Sequence, residues 1–354
     1  MARRIVIGGL ESSVIIQPDM LSSLTLVIIP IMNLGGKISP SLLELKQLKY
    51  LDLSGNYFGG NQIPEFVGSL KSLKYLNLSD AGFGMMIPRQ LGNLSRLSYL
   101  DLSRNDLGGT IPHQFSNLTK LIQLDLGGYN NGLEVDNLQW LSRLSSLNYL
   151  DMSLVNLAMA TDWLQVEGSV NKLEYLNLSG NTLSGNIPRS IGSLTQLLSL
   201  YLRNNNLFGE IPSSLRNCTS LNVLDLGENE LFGRIPQGMG LDLSDLWVLD
   251  LRSNRFNGSI PLELCQLVSL QILDLADNNL SGTIPHCFGD FSVMAEKHDT
   301  IDISYYYSSF YYSDFGDEVW CMLRGRKAKY SSTLRLVTSM DLSNNCLSGR
   351  SLRN

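Results

Sequence analysis

From Leu48 onward, leucines fall in one recurring phase. The segment Leu48-Lys-Tyr-Leu51-Asp-Leu53-Ser-Gly-Asn56 sets the frame L-x-x-L-x-L-x-x-N. The frame returns at Leu73, Leu97, Leu121, Leu147, Leu173, Leu197, Leu221, Leu246 and Leu270, in steps of 24 to 26 residues. After a gap it opens again as Val337, Met340, Leu342 and Asn345. Leu51 and Leu53 are two apart, so the frame predicts a short strand with both leucines on one face. A single repeat leaves them in water. Stacking the next repeat buries them, at about 1.5–3 kcal/mol per leucine. The phase therefore predicts an α/β repeat solenoid with a parallel inner sheet, its strands about 4.8 Å apart. It replaces the expectation of about two globular domains that length alone gives.

The periodicity divides the chain into an irregular N-terminus with a partial first repeat (1–47), ten repeats (48–288), an insertion (289–336) and the start of a further block (337–354). The frame asparagines Asn56, Asn105, Asn181, Asn205, Asn229, Asn254, Asn278 and Asn345 stand where the chain leaves each strand. A carboxamide both donates and accepts, so it can pair a buried turn and bridge to the next repeat. Ala81, Tyr129 and Val155 break this column, which predicts local irregularity.

Many repeats continue as Leu-x-Gly-x-Ile-Pro, as in Leu183-Ser-Gly-Asn-Ile187-Pro188. Glycine allows a tight turn, and proline suits an edge-like second strand. This pattern resembles the plant-specific class of extracellular leucine-rich repeats over about residues 34–288, and implies a horseshoe or superhelix of that class. Repeats over about 121–170 lack Ile-Pro and carry Trp140-Leu and Trp163-Leu instead. Those phrases resemble early repeats of plant receptor-like proteins, the class that includes the fungal-xylanase receptors. On packing grounds the two tryptophans are read as ordinary core of the outer side.

The insertion adds about 43 residues to the 24-residue rhythm. It concentrates Tyr305, Tyr306, Tyr307, Phe310, Tyr311, Tyr312, Phe315 and Trp320, then Arg324, Arg326, Lys327 and Lys329. Its flanks, Phe291-Ser-Val-Met-Ala-Glu296 and Leu323-Arg-Gly-Arg326 with Leu334 to Asn345, resemble the island of plant receptor-like proteins. The resemblance implies a cell-surface ectodomain that senses a protein or peptide ligand, microbial or endogenous, and signals through partner receptor kinases. The chain departs from the family's pattern in lacking the N-terminal cysteine cap, the acidic stalk and a membrane helix. Arg3 and Arg4 precede an apolar stretch from Leu21 to Met32, but Glu11, Gln17, Pro18 and Asp19 interrupt the segment, unlike a secretory leader. A second reading is a secreted inhibitor similar to the polygalacturonase-inhibiting proteins. Those carry cysteine caps and no island, so the insertion favours the receptor reading. A third is a truncated product without a ligand.

Candidate contacts follow from the frame. Tyr50, Tyr75, Tyr99, Tyr149 and Tyr175 share one inner column, and exposed aromatics suit peptide recognition. Asp52, Asp101, Asp125, Asp151, Asp225, Asp250 and Asp274 share the next, read mainly as a ladder that supports the sheet. As surface carboxylates they are expected to lack the burial that shifts a pKa. The more variable positions Arg104, Leu154, Arg203, Glu228, Arg252 and Asp277 are ligand candidates, with contacts clustering near Arg252, Asp274, Asp277 and the insertion residues Tyr305, Trp320, Arg324 and Arg326.

Sequons stand at Asn77, Asn93, Asn117, Asn177, Asn217, Asn257 and Asn279, of which Asn93, Asn117 and Asn217 look most accessible. Cys265 and Cys287 fall at similar outer positions of consecutive repeats and are paired as a candidate disulfide, while Cys218 reads as a small buried residue. The net charge of −6, from 27 basic and 33 acidic residues, offers no nucleic-acid surface. His113, His286 and His298 have no partners at metal-ligand spacing, and no catalytic constellation or cofactor motif occurs. The expected function is recognition, without enzymatic activity.

Overall fold

The computed structural model describes residues 36–129, 132–160, 163, 170–289, 291 and 337–349, together with the backbone of five further strands. Those strands are Arg3–Val6, Ser13–Ile16, Leu24–Val27, Val319–Leu323 and Arg326–Tyr330. The chain forms two compact units, Met1–Leu183 and Ser184–Asn354. Each is a stack of leucine-rich repeats.

In the first unit, strands Leu48–Asp52, Tyr75–Asn77, Tyr99–Asp101, Gln123–Asp125, Tyr149–Asp151 and Tyr175–Asn177 pair in parallel. Equivalent frame positions lie side by side, as in Leu51 with Leu76 and Leu76 with Leu100. One more strand, Leu24–Val27, pairs in parallel with Leu48–Asp52 through a register shift between Leu24 and Thr25. It therefore adds a rung within the segment read as irregular. In the second unit, Ser199–Tyr201, Val223–Asp225, Val248–Asp250, Ile272–Asp274 and Ser339–Asp341 pair the same way. The last pairing is in phase, Leu273 beside Met340, although the insertion lies between them.

The frame leucines form the core: Leu51, Leu53, Leu73, Leu76 and Leu100 are fully buried, as are Leu224, Leu249 and Leu273. The asparagine column ties successive rungs. Asn105 Nδ2 donates to its own Leu102 carbonyl at 3.0 Å and to Leu78 of the preceding rung at 2.8 Å. Its Oδ1 accepts from Phe83 N at 2.9 Å. Asn229, Asn254 and Asn278 repeat this pattern in the second unit.

Proline has a different task from the edge strand expected of it. Pro64, Pro88, Pro112, Pro188, Pro212 and Pro261 each cap a short 3-10 helix on the outer side, with φ between −67° and −64°. Proline is already set to the helical φ and has no N–H to satisfy there. Neighbouring outer turns pack closely. A Cβ on Gly92 would stand 2.5 Å from the Gln114 carbonyl oxygen, so only glycine fits. Trp140 and Trp163 are buried on this side, and Trp140 meets Phe115 edge-on at 6.3 Å. Cys265 and Cys287 form a disulfide with Cα atoms 5.7 Å apart, and Cys218 is buried, which pushes its thiol up to about 11.

Within the insertion, Val319–Leu323 and Arg326–Tyr330 pair as an antiparallel hairpin, Trp320 opposite Lys329. Tyr305 and Arg324 lie outside the described residues. Among the described residues no helix is long and apolar enough to cross a membrane.

Candidate functional site

The inner face of each unit carries three columns of side chains, set by the strand and the turn that leaves it. In the first unit, tyrosine rings stack along the strands. Tyr50 and Tyr75 have centroids 3.9 Å apart, Tyr75 and Tyr99 4.0 Å, and Tyr149 and Tyr175 4.2 Å. The rings present edges rather than faces, because each face is covered by its neighbour. Tyr99 is half-buried, but Tyr149 and Tyr175 are buried. The exposure expected of those two is absent.

The carboxylate column is also more buried than its surface position suggested. Asp101, Asp151, Asp225, Asp250 and Asp274 are all buried, Asp250 completely. Each side chain curls back to accept from the backbone N–H two residues on. Ser103 N donates to Asp101 Oδ1 at 2.9 Å, Ser153 N to Asp151 at 2.8 Å, Arg252 N to Asp250 at 2.9 Å and Ala276 N to Asp274 at 3.0 Å. Asn77 and Asn177 do the same for Ser79 and Ser179. The column thus ends each strand, the supporting role expected of it. The expectation of unshifted carboxylates fails. Burial, with like charges beside it, raises Asp125 well above the carboxylate range and Asp250 to about 7. Asp274 rises to about 6 for the same two reasons, burial first and the Asp250 charge second.

The third column follows the turn. Asp80, Arg104, Leu154, Asn204, Glu228, Ser253, Asp277 and Asn344 all have left-handed backbone, φ 49° to 57°. Gly55 and Gly180 occupy the same position. This conformation costs an ordinary side chain about 1–2 kcal/mol. It also turns the side chain toward the rim. Arg104 is exposed, and Leu154, Glu228 and Asp277 are half-buried. Tyr129 Oη donates to Asp80 Oδ1 at 3.1 Å, joining residues 49 apart in sequence.

The second unit contains an arrangement that the sequence did not disclose. Arg203 is buried, and its guanidinium bridges three successive rungs. Nη2 meets Glu228 Oε1 at 2.8 Å, and Nη1 reaches Asp225 at 3.4 Å and Asp250 beyond it. It passes over Gly227, where a Cβ would lie 2.6 Å from Nη1. Arg252 repeats the device. Its Nη2 meets Asp277 at 2.8 Å, and its Nη1 meets Asp274 at 3.1 Å and Asp341 at 2.8 Å. Burial opposes both cations, but the clustered carboxylates hold them protonated above the usual arginine range. Arg203, Arg252 and Asp274 therefore meet one another's network first, and Arg203 exposes little to a ligand. The signal was present in hindsight: this position is Ser, Gly or Ala in the described neighbouring repeats, and arginine occurs there at 203 and 252.

Among the sequons, Asn93, Asn117 and Asn217 each end an outer 3-10 helix and are exposed. Asn257 and Asn279 are exposed on the second strand, whereas Asn77 and Asn177 are half-buried in the inner column. Among the described residues, no group of three or more His, Cys, Asp or Glu side chains is placed to hold a metal ion.

The family model for a leucine-rich repeat region matches residues 27–162, and that for single leucine-rich repeats matches 172–194, 196–218, 245–267 and 269–291. Two tomato (Solanum lycopersicum) receptor-like proteins are similar. EIX1 is 54% identical over 55 residues, and EIX2 56% over 50. These segments are 16% and 14% of this chain and 5% of each relative. Among solved structures, the plant peptide hormone receptor RGFR1 in complex with RGF2 aligns at 32% identity and TM-score 0.63, covering 76% of this chain and 46% of that one. A TDR receptor aligns at 29% identity and TM-score 0.63, covering 76% and 49%. The chain thus spans about half the length of these structures and a small part of the tomato proteins. With both repeat models matched in phase with the observed strands, the chain belongs to the leucine-rich-repeat family and is similar to plant receptor-like proteins.

Proposed function

We propose that this chain is part of the ligand-recognition ectodomain of a plant cell-surface receptor-like protein, sensing a microbial or developmental cue. The observation that carries this reading is the likeness to RGFR1, a receptor solved with its peptide hormone, combined with inner faces whose rim side chains are held in a strained but uniform conformation. Left-handed backbone kept by non-glycine side chains at this one position of most rungs is consistent with a recognition role. The ligand is a protein or peptide. It meets Tyr99 and Arg104 on the first unit, and Glu228, Asp277 and the outer edge of Arg252 on the second. Tyr149, Tyr175, Arg203 and Asp274 support those contacts from beneath. The hairpin carrying Trp320 and Arg326 contributes a further contact. Signalling passes to partner kinases, the protein carries N-linked glycans, and it acts by binding, without catalysis.

The test is capture by the immobilised chain from two probes, a fungal culture filtrate and a panel of synthetic secreted plant peptides. Charge reversal at the rim (Arg104→Glu, Glu228→Lys, Asp277→Lys) is expected to abolish capture while the melting temperature holds. Capture that is equal in wild type and all three variants, or absent from both probes, overturns the reading.

A further inference from the structure

We propose that the inner face of the second unit is a proton-taking column: it holds an extra proton in mildly acidic solution and sheds it near neutrality, so the unit is firmer in acid. The geometry is a surplus of carboxylates in one buried line. Asp225, Asp250, Asp274 and Asp341 stand side by side on adjacent strands, in register. Exposures of 2%, 0% and 5% at the first three leave water little access.

The groups that face Asp250 come from every neighbouring rung. From the side nearer the N-terminus come Tyr201, Arg203, Asp225 and Glu228. From the other side come Asp274, Asp277, Arg252 and Asp341. Six carboxylates therefore share two guanidiniums. Arg203 lies between Asp225 and Asp250, but Arg252 points forward, to Asp274, Asp277 and Asp341. Its backbone N–H, not its charge, serves Asp250. Asp250 and Asp274 are thus neighbours with no cation bridging them. A proton on one removes the repulsion between two like charges held side by side away from water.

The shifts support this direction, with Asp250 near 7 and Asp274 near 6. A folded-state value above the ordinary carboxylate value means that the folded unit binds more protons than the unfolded chain. Stability then falls as pH rises from about 4 to about 7, the reverse of ordinary acid unfolding. As regulation of the recognition surface the inference rests on the function proposed above, but its test does not use a ligand, so either can fail alone.

The experiment is thermal melting of the full chain at pH 5.5 and 7.5, with Asp250→Asn beside wild type. Asparagine copies the neutral acid. Wild type is expected to melt about 3–6 °C higher at pH 5.5, and Asp250→Asn to show little difference between the two. Wild type melting lower at pH 5.5, or a pH difference that survives in Asp250→Asn, overturns the proposal. If that variant does not fold, carbon-13 carboxyl spectra of wild-type aspartates decide. A midpoint between pH 6 and 8 at one carboxyl is expected. All midpoints below 5 would refute it.

Discussion

Arg252 Nη1 lies 2.8 Å from Asp341 Oδ2 although 89 residues separate them in sequence. The ion pair joins the turn that leaves strand Val248–Asp250 to the strand after the insertion, across the Ile272–Asp274 rung between them. It copies the Arg203–Asp250 pair, where no insertion intervenes. Arg252→Leu leaves Asp274 without its nearest cation and is expected to cost about 2–3 kcal/mol, between the buried and surface limits. Asp341→Asn, at a more exposed carboxylate, is expected to cost about 1 kcal/mol or less. Urea denaturation of both and of the double variant measures the coupling, and additive losses would show that the pair contributes nothing as a pair.

Gly227 lies beneath Arg203, where an added Cβ would meet Nη1 at 2.6 Å. The side chain is flexible in principle, but three carboxylates pin its end. Gly227→Ala is therefore expected to destabilise by about 1–3 kcal/mol. In Arg203→Leu the same substitution should cost much less. Equal cost in both backgrounds would place the clash elsewhere.

Leu154 has φ 57°, a conformation that a leucine adopts at a penalty. Leu154→Asn is expected to raise stability by about 0.5–1 kcal/mol, because asparagine tolerates this region. A lower melting temperature would mean that the leucine's contact with the Gly180 rung outweighs the backbone strain.

The Cys265–Cys287 disulfide closes a loop of 22 residues. Its loss, by Cys265→Ser with Cys287→Ser or by reductant, is expected to cost about 3 kcal/mol. Unchanged melting with and without reductant would show that the bridge adds no stability.

Sequon occupancy should divide by position. Asn93, Asn117 and Asn217 end exposed outer helices, so peptide mapping after secretion from a eukaryotic host should find them glycosylated. Asn177 donates from Nδ2 to Asp151 at 2.8 Å within the inner column and should be empty. A glycan at Asn177 in folded protein would contradict the packing.

The rungs were legible because leucine, asparagine and glycine positions repeat with the chain's own period, and burial of Leu51 or Leu273 follows from phase alone. Asn105 bridging to the preceding rung follows from its carboxamide. The rim conformation was nearly legible, since Gly55, Gly180, Asn204 and Asn344 share the position that Arg104, Leu154 and Glu228 also take. The arginine bridges were not. They depend on a side chain reaching two rungs onward across a glycine or alanine, a relation between three repeats rather than within one. The burial of Asp250 was missed for a related reason: the spacing places its Cβ on the inner face but does not reveal the neighbours that close over it. Nor did Leu24–Val27 stand out as a strand, because its register shift takes it out of phase with Leu48–Asp52.

The asparagine column has a further consequence for how such a chain can be edited. Each carboxamide completes the turn of the rung before it, so a rung is finished only by a successor in step. Asn345 does this for Leu280, accepting its N–H at 2.9 Å, and donates to the Leu275 carbonyl at 2.9 Å. Length between two rungs is therefore nearly unconstrained, while phase is not. Added sequence of any length is tolerated where the chain loops out and returns in step. A deletion that removes half a repeat leaves the first carboxamide beyond it facing the wrong partner.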